Sequence, residues 1–141
     1  MSRIFTPEQA NRTLPLVRRI VRDVVEQFAV WQGAVAEFEI ASGAPRGSAA
    51  ALGAEALQRE VQRLAEEMQA FIAELESLGV MVKDYQRGLV DFPSEHEGRA
   101  VLLCWKLDEP AVMFWHEVDA GFAGRQPLAP EAVLTAARHE A

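Results

Sequence analysis

The chain has 141 residues, of which half are apolar and a quarter are charged, so it has the composition of one globular domain and not of a disordered or collagen-like chain. Its formal net charge of −7 disfavours nucleic acid and anionic membranes as partners, because like charges repel. No apolar run approaches the roughly 20 residues that span a bilayer, and no signal-peptide core is visible. We predict a cytoplasmic protein, and the single cysteine, Cys104, fits a reducing compartment.

A helix-start signal stands near the beginning of the chain. Thr6-Pro7-Glu8-Gln9 matches a capping box, in which Thr6 and Gln9 each cap the other's backbone N–H. Pro15 predicts a kink or a restart near 13–15, because proline lacks an N–H and crowds the preceding turn. Apolar residues then recur in alternating steps of three and four, which predicts a long helix over 6–41: Leu14, Val17, Val21, Val24, Phe28, Trp31, Val35 and Phe38.

A second helix is predicted to run back along the first. The Gly-, Ala- and Ser-rich stretch 42–53 breaks the period and predicts the tip of a helical hairpin. The period resumes over 54–78, and Gly79 is a natural stop. Ile20, Val25 and Ile72 widen the apolar stripe at one end of the hairpin, which we therefore assign as its base.

The far end of the hairpin carries only a narrow apolar seam. The first helix spans roughly 40 Å, and a short strand spans roughly 20 Å, so a small sheet cannot cover the whole arm. A second copy of the chain is the expected cover. The sequence therefore predicts a homodimer whose interface contains Phe28, Trp31, Val35 and Phe38.

After Gly79 the sequence changes to short runs of branched and aromatic residues, which predict an antiparallel meander over 79–117. We expect Phe92 to face Arg99, and Lys106 to face Ala111. One face then carries Val90, Phe92, Val101, Leu103, Trp105, Val112 and Phe114; the other carries Leu89, Asp91, Ala100, Leu102, Cys104, Met113, Trp115 and Glu117. The predicted fold class is α+β, a single domain with a coiled-coil-like antiparallel helical hairpin packed at its base on a small three- to four-stranded antiparallel sheet.

One face of this sheet is predicted to gather acidic side chains. Asp91 and Glu117 lie on neighbouring outer strands, Asp84 joins them through a tight turn, and a one-residue slip would exchange Glu117 for His116. Such oxygen and nitrogen donors suit a divalent metal, so Asp84, Asp91, His116 and Glu117 are candidate ligands. The alternative is that they are edge charges that cap turns or pair with nearby basic residues. Cys104 is interpreted as a small core residue.

Several motifs resemble the prokaryotic family of domain of unknown function 2203, over about nine-tenths of the chain. They are Phe5-Thr6-Pro7-Glu8-Gln9-Ala10-Asn11, Lys83-Asp84, Gly88-Leu89-Val90-Asp91-Phe92-Pro93, Gly98-Arg99, Leu103-Cys104-Trp105, Trp115-His116-Glu117 and Gly121-Phe122-Ala123-Gly124-Arg125-Gln126-Pro127. No activity comes with this resemblance. It implies that a site lies on the carboxylate strands or on the glycine-rich segment.

The glycine-rich segment 118–130 is predicted to dock onto the fold. Gly121 and Gly124 can present backbone N–H groups, and Arg125 and Arg99 can supply charge, so an anion is a candidate ligand there. Its spacing matches no phosphate loop. Residues 131–141 are predicted to form a short helix or tail without an assigned function.

Three functions remain open on this sequence. The first is a homodimeric scaffold or regulatory interaction protein. The second is a divalent-metal-binding protein, with a hydrolase as one form of it. The third is a binder of a small anionic metabolite at the glycine-rich segment. No complete catalytic motif is present, which favours a protein that is not an enzyme and leaves its cofactors open.

Overall fold

The structure is a computed structural model that describes residues 3–129. Its helices are α1 (Pro7–Ser42), α2 (Ala49–Leu52) and α3 (Ala54–Ser77); its strands are β1 (Met81–Asp84), β2 (Leu89–His96), β3 (Arg99–Lys106), β4 (Phe114–Glu117) and β5 (Gln126–Pro127), with a 3-10 helix at Phe122–Gly124. The predicted α+β class is confirmed, and the sheet has five strands where three to four were expected. The helix or tail predicted over 131–141 lies outside the described residues.

The N-terminus of α1 has the predicted capping box. The Gln9 N–H donates to Thr6 Oγ1 at 3.1 Å, and the Thr6 N–H donates to Gln9 Oε1 at 3.0 Å. The helix then continues through Pro15 to Ser42, so a restart near 13–15 does not occur, and the kink that was its alternative stays a prediction. One helix therefore supplies the whole first side of the helical layer.

The two long helices pack against each other, with α2 in the connection between them. Gln27 Nε2 on α1 donates to the Leu64 carbonyl at 3.2 Å and to Glu67 Oε2 at 2.8 Å on α3. The fully buried side chains of α1 lie in its first half, up to Val24, and between Val24 and the C-terminus of the helix only Ala41 is fully buried. The far part of the helical layer is therefore only partly covered.

The sheet has the strand order β1-β2-β3-β4-β5, and all neighbours are antiparallel. Phe92 faces Leu103, so the predicted pairing with Arg99 is wrong by four positions. The strand continues through Pro93 because that residue lies beyond the end of β1, and its carbonyl accepts from the Phe5 N–H at 2.7 Å instead. An even shift preserves the two faces, so the predicted faces of β2 and β3 are confirmed.

The register of β4 differs from the prediction by one residue. Leu103 faces Trp115 and Leu102 faces His116. The expected Lys106–Ala111 pairing would instead have placed Phe114 opposite Leu103. The buried side chain of Asn11 on α1 accounts for the difference. Its Oδ1 accepts from the Val112 N–H at 2.7 Å and its Nδ2 donates to the Val112 carbonyl at 3.1 Å, so the chain before β4 pairs with a helix side chain and not with β3.

The main core lies between the helices and one face of the sheet, here called the inner face. Its buried members include Phe5, Leu14, Val17, Val21, Val24, Met68, Ile72, Leu75, Val90, Phe92, Val101, Leu103, Trp105 and Trp115. The opposite, outer face is buried as well, at Leu89, Asp91, Leu102, Cys104 and His116. Because the helices cannot cover both faces, another segment must cover the outer one.

Candidate functional site

Three polar side chains meet on the outer face of the sheet. Asp91 on β2 faces Cys104 on β3, and His116 on β4 lies two residue pairs along on the same face, opposite Leu102. The carboxylate, thiol and imidazole atoms all lie within 4.8 Å of one another. The exposed fractions of Asp91, Cys104 and His116 are 3%, 0% and 2%, so the cluster is shielded from bulk water.

The hydrogen bonds of His116 fix its tautomer. Its Nδ1 lies 2.7 Å from the backbone carbonyl of Glu117, and a carbonyl only accepts, so Nδ1 carries a proton. Its Nε2 lies 3.0 Å from Asp91 Oδ1. A neutral ring would therefore direct the lone pair of Nε2 at a carboxylate oxygen. The contact requires a proton or another cation between these two atoms.

Cys104 holds its proton firmly in this setting. Burial raises the pKa of its thiol to about 12, and the negative charge of Asp91 and the hydrogen bond to its carboxylate act in the same direction, whereas Arg125 opposes them. The thiol hydrogen-bonds to the Asp91 carboxylate, and both this bond and the negative charge of Asp91 favour the protonated thiol over the thiolate. This arrangement does not suit a cysteine nucleophile.

The segment 118–125, here called the cover segment, lies over the outer face. The Arg125 guanidinium lies 3.8 Å from the ring centroid of Phe114 and 4.6 Å from that of Phe122, and it donates to Glu109 Oε1 at 2.8 Å. The Arg87 guanidinium lies 5.3 Å from the ring centroid of Phe122. These cation–π contacts hold the cover segment above the sheet. A cavity of about 360 Å³ remains between the cover segment and the cluster.

Of the four predicted metal ligands, the structure brings Asp91 and His116 together. Asp84 instead caps its own turn: its Oδ1 accepts from the N–H groups of Gln86 and Arg87, and the hydrogen bonds from Arg87 contribute most to lowering the pKa of this carboxyl. Glu117 does not point at the cluster. Its carboxylate pairs with Arg99, and that hydrogen bond lowers the pKa of Glu117.

Sequence reasoning missed Cys104 as a partner in the cluster. It was correctly expected on the same face as Asp91, but an isolated cysteine between Leu103 and Trp105 was interpreted as core. Only the register of β4 brings His116 beside the pair, and this register is fixed by Asn11. No local signal in the sequence distinguishes this cysteine from a packing residue.

The residues predicted to bind an anion have partners of their own. Arg99 pairs with Glu117, and Arg125 pairs with Glu109 between two aromatic rings. Gly121 adopts a φ of 68°, and its carbonyl accepts from the Gly124 N–H at 3.1 Å, which closes the turn of the cover segment. An anion at these residues would have to displace a carboxylate from each arginine.

The residues of the predicted dimer interface lie on the arm that the sheet leaves partly covered. Phe28, Trp31, Val35 and Phe38 are all half-buried. Phe28 stacks on Trp31 at 5.7 Å between ring centroids and also contacts Tyr85 at 5.8 Å, so part of its surface packs within the chain. The dimer itself stays a prediction.

The protein is therefore an α+β protein, in which a layer of long helices packs on an antiparallel sheet that carries a buried Asp/Cys/His cluster. The model of the family described as "uncharacterized conserved protein (DUF2203)" matches residues 3–128, so the chain belongs to that family. No curated protein and no solved structure matches the chain at a significant level. Among the helices of residues 3–129, none is both long enough and apolar enough to cross a membrane.

Proposed function

We propose that the protein binds a divalent metal ion, with zinc as the first candidate, through Asp91, Cys104 and His116. The observation that carries this proposal is the convergence of three different donor groups within 4.8 Å in a buried setting. Sulfur, imidazole nitrogen and carboxylate oxygen are the donors that zinc takes in proteins. The Glu117 carbonyl supports the same assignment, because a ligating histidine normally donates its other N–H to such an acceptor.

Charge balance supports a divalent ion. Without metal, the cluster holds a thiol proton and a proton between His116 and Asp91, so a negative carboxylate is balanced by a positive ring or is itself neutral. A divalent ion that displaces both protons leaves a thiolate, a carboxylate and a neutral imidazole. Their two negative charges cancel the charge of the ion. The buried cluster is therefore neutral with and without the metal, which avoids the large cost of a net charge in an apolar interior.

Three protein ligands would leave one position of a tetrahedral zinc site open, and the cavity under the cover segment, which Asp91 and His116 line, would give a further ligand access to the ion. Closed sites with four protein ligands are structural, whereas an open position is typical of catalytic sites. A metal-dependent hydrolase is therefore retained as one form of the proposed metal-binding function. A thiol that serves as a metal ligand must remain reduced, which supports placement in the cytoplasm.

The test is metal content in wild type and matched variants. Protein purified without chelator and dialysed against zinc should hold a stoichiometric amount of metal, and cobalt should produce a thiolate charge-transfer band. We expect Asp91→Asn, Cys104→Ser and His116→Gln to lose most of the metal. Glu117→Gln is the matched control, because it removes a predicted ligand carboxylate and retains the backbone carbonyl that accepts from His116.

The control decides between the predicted ligand set and the cluster that the structure forms. Loss of metal in Glu117→Gln with retention in Cys104→Ser would reject the cluster. A wild-type protein that takes up neither zinc nor cobalt under reducing conditions would reject metal binding altogether. In that case the cluster is a buried hydrogen-bonded group with a structural role.

A homodimeric scaffold, which includes a regulatory interaction protein, is a second candidate function. Large apolar side chains are exposed on the arm: Val30, Ile40 and Leu52 have exposed fractions of 55%, 73% and 78%. An open groove beside Ile40 is lined by Ala49, Ala50 and Leu57. Such a patch at the far end of two helices supports a contact with a second copy of the chain.

Light scattering on the purified protein tests the dimer. We expect twice the chain mass for wild type, and the single-chain mass for the double variant Ile40→Glu/Leu52→Glu, because buried carboxylates oppose association. Leu16→Glu is the control, since Leu16 is an exposed apolar residue of α1 away from the tip. A wild-type protein that stays a monomer at high concentration would remove the scaffold proposal.

A further inference from the structure

The cavity on the outer face connects the metal cluster with the surface. Asp91 and His116 form part of its floor, Leu102 and Phe122 supply apolar wall, and Lys83 and Asp119 lie on its rim. Its volume of about 360 Å³ is at the small end of ligand pockets. Cys104 is fully buried and does not line it, so a ligand in the cavity would approach a bound ion from the side of Asp91 and His116.

Lys83 and Asp119 differ from the other charged residues of this region. Across residues 3–129, the side chain of neither one makes a hydrogen bond or an ion pair. The other charged side chains nearby form ion pairs, which are Asp84 with Arg87, Arg99 with Glu117, and Arg125 with Glu109. A cation and an anion, neither of them paired with any other residue of 3–129, therefore border the same cavity. Since a metal-loaded cluster is neutral, these two rim residues set the charge that a ligand encounters.

We infer that the cavity binds a small carboxylate with a single negative charge, which coordinates the metal through one oxygen and pairs with the ammonium group of Lys83. This inference rests on the proposed metal site. Divalent ions with an open position accept oxygen ligands, and Lys83 offers the free opposite charge. Asp119 opposes a second negative charge on the ligand, so a monoanion fits better than a dianion.

The experiment uses the full chain loaded with cobalt, whose visible absorption reports the coordination sphere. Acetate and malonate are titrated at constant ionic strength. We expect acetate to change the spectrum of wild type, and Lys83→Met to weaken acetate binding about fivefold. Arg59→Met, which removes one positive charge from an exposed position on α3, should leave it unchanged. Asp119→Asn should strengthen malonate binding more than acetate binding.

The outcomes separate this inference from the proposed metal site. If cobalt gives no charge-transfer band, the metal proposal itself fails. If the band is present but acetate leaves the spectrum unchanged, the metal site stands and the carboxylate inference is wrong. If acetate acts only on Asp119→Asn, then Asp119 is the fourth metal ligand and closes the site, which also overturns the inference. Equal acetate affinities for Lys83→Met and wild type would remove Lys83 from the ligand contact.

Discussion

Zinc should raise the melting temperature of the wild-type protein by about 5 to 10 °C, and His116→Gln should abolish the shift. A ligand at a hundredfold excess over its dissociation constant stabilises the folded state by about 2.7 kcal/mol. For a domain of this size each kcal/mol corresponds to about 2 to 4 °C. The effect is large because the three ligands come from β2, β3 and β4 and converge only in the folded chain.

The zinc shift should increase with pH. The Cys104 thiol, whose pKa is raised to about 12, keeps its proton throughout the neutral range, so zinc must displace that proton at every pH in this range. Each displaced proton makes the apparent affinity rise about tenfold per pH unit. Differential scanning with and without zinc, between about pH 6 and about pH 8, measures the trend.

The metal-free protein should show the opposite trend at high pH. A raised thiol pKa means that the folded state binds the proton more tightly than the unfolded state, so this stability is present below the ordinary pKa of 9.0 and is lost as the pH rises toward about 12.

Glu117→Gln should retain the full zinc shift. A shift that is the same at all pH values, or that survives in His116→Gln, would show that zinc binds elsewhere.

Gly88→Ala should lower the free energy of unfolding by roughly 2 to 5 kcal/mol. Gly88 has a φ of +70°, which an L residue adopts only with strain. An added Cβ would lie 2.8 Å from Leu107 Cβ, 2.9 Å from Val21 Cγ1 and 3.1 Å from Val25 Cγ2. The first of these atoms is attached directly to the backbone and cannot rotate away, so the turn before β2 must move away from the loop at Leu107.

Urea denaturation of Gly88→Ala and Gly98→Ala separates the two causes. Gly98 has a φ of +79°, and no atom lies within 4 Å of the position that an added Cβ would take, so its substitution tests backbone strain alone. We expect a loss of about 1 to 2 kcal/mol there. Equal losses for the two variants would contradict the close packing of Gly88 against the helix and the loop.

The sequence alone determined those features that depend on local chemistry and on repeat spacing. The capping box at Thr6 and Gln9 marks the start of α1 because both side chains act within one turn. The two faces of β2 and β3 were predicted correctly although the predicted pairing of these strands was wrong by four positions, because the side chains of a strand alternate between faces with a period of two residues. The α+β class and the predicted inner faces of these strands were therefore independent of the exact turn.

Only the tertiary structure decided the candidate site. Asn11 pairs with the backbone of Val112, a hundred and one positions away in sequence, and this contact sets β4 one residue from the register that a tight turn predicts. A one-residue shift reverses both faces of a strand, so it brings His116 to Asp91 and turns Glu117 toward Arg99. Strand alternation carries no information about which of two adjacent registers a distant side chain will stabilise, and that is why the ligand set could not be read from the chain alone.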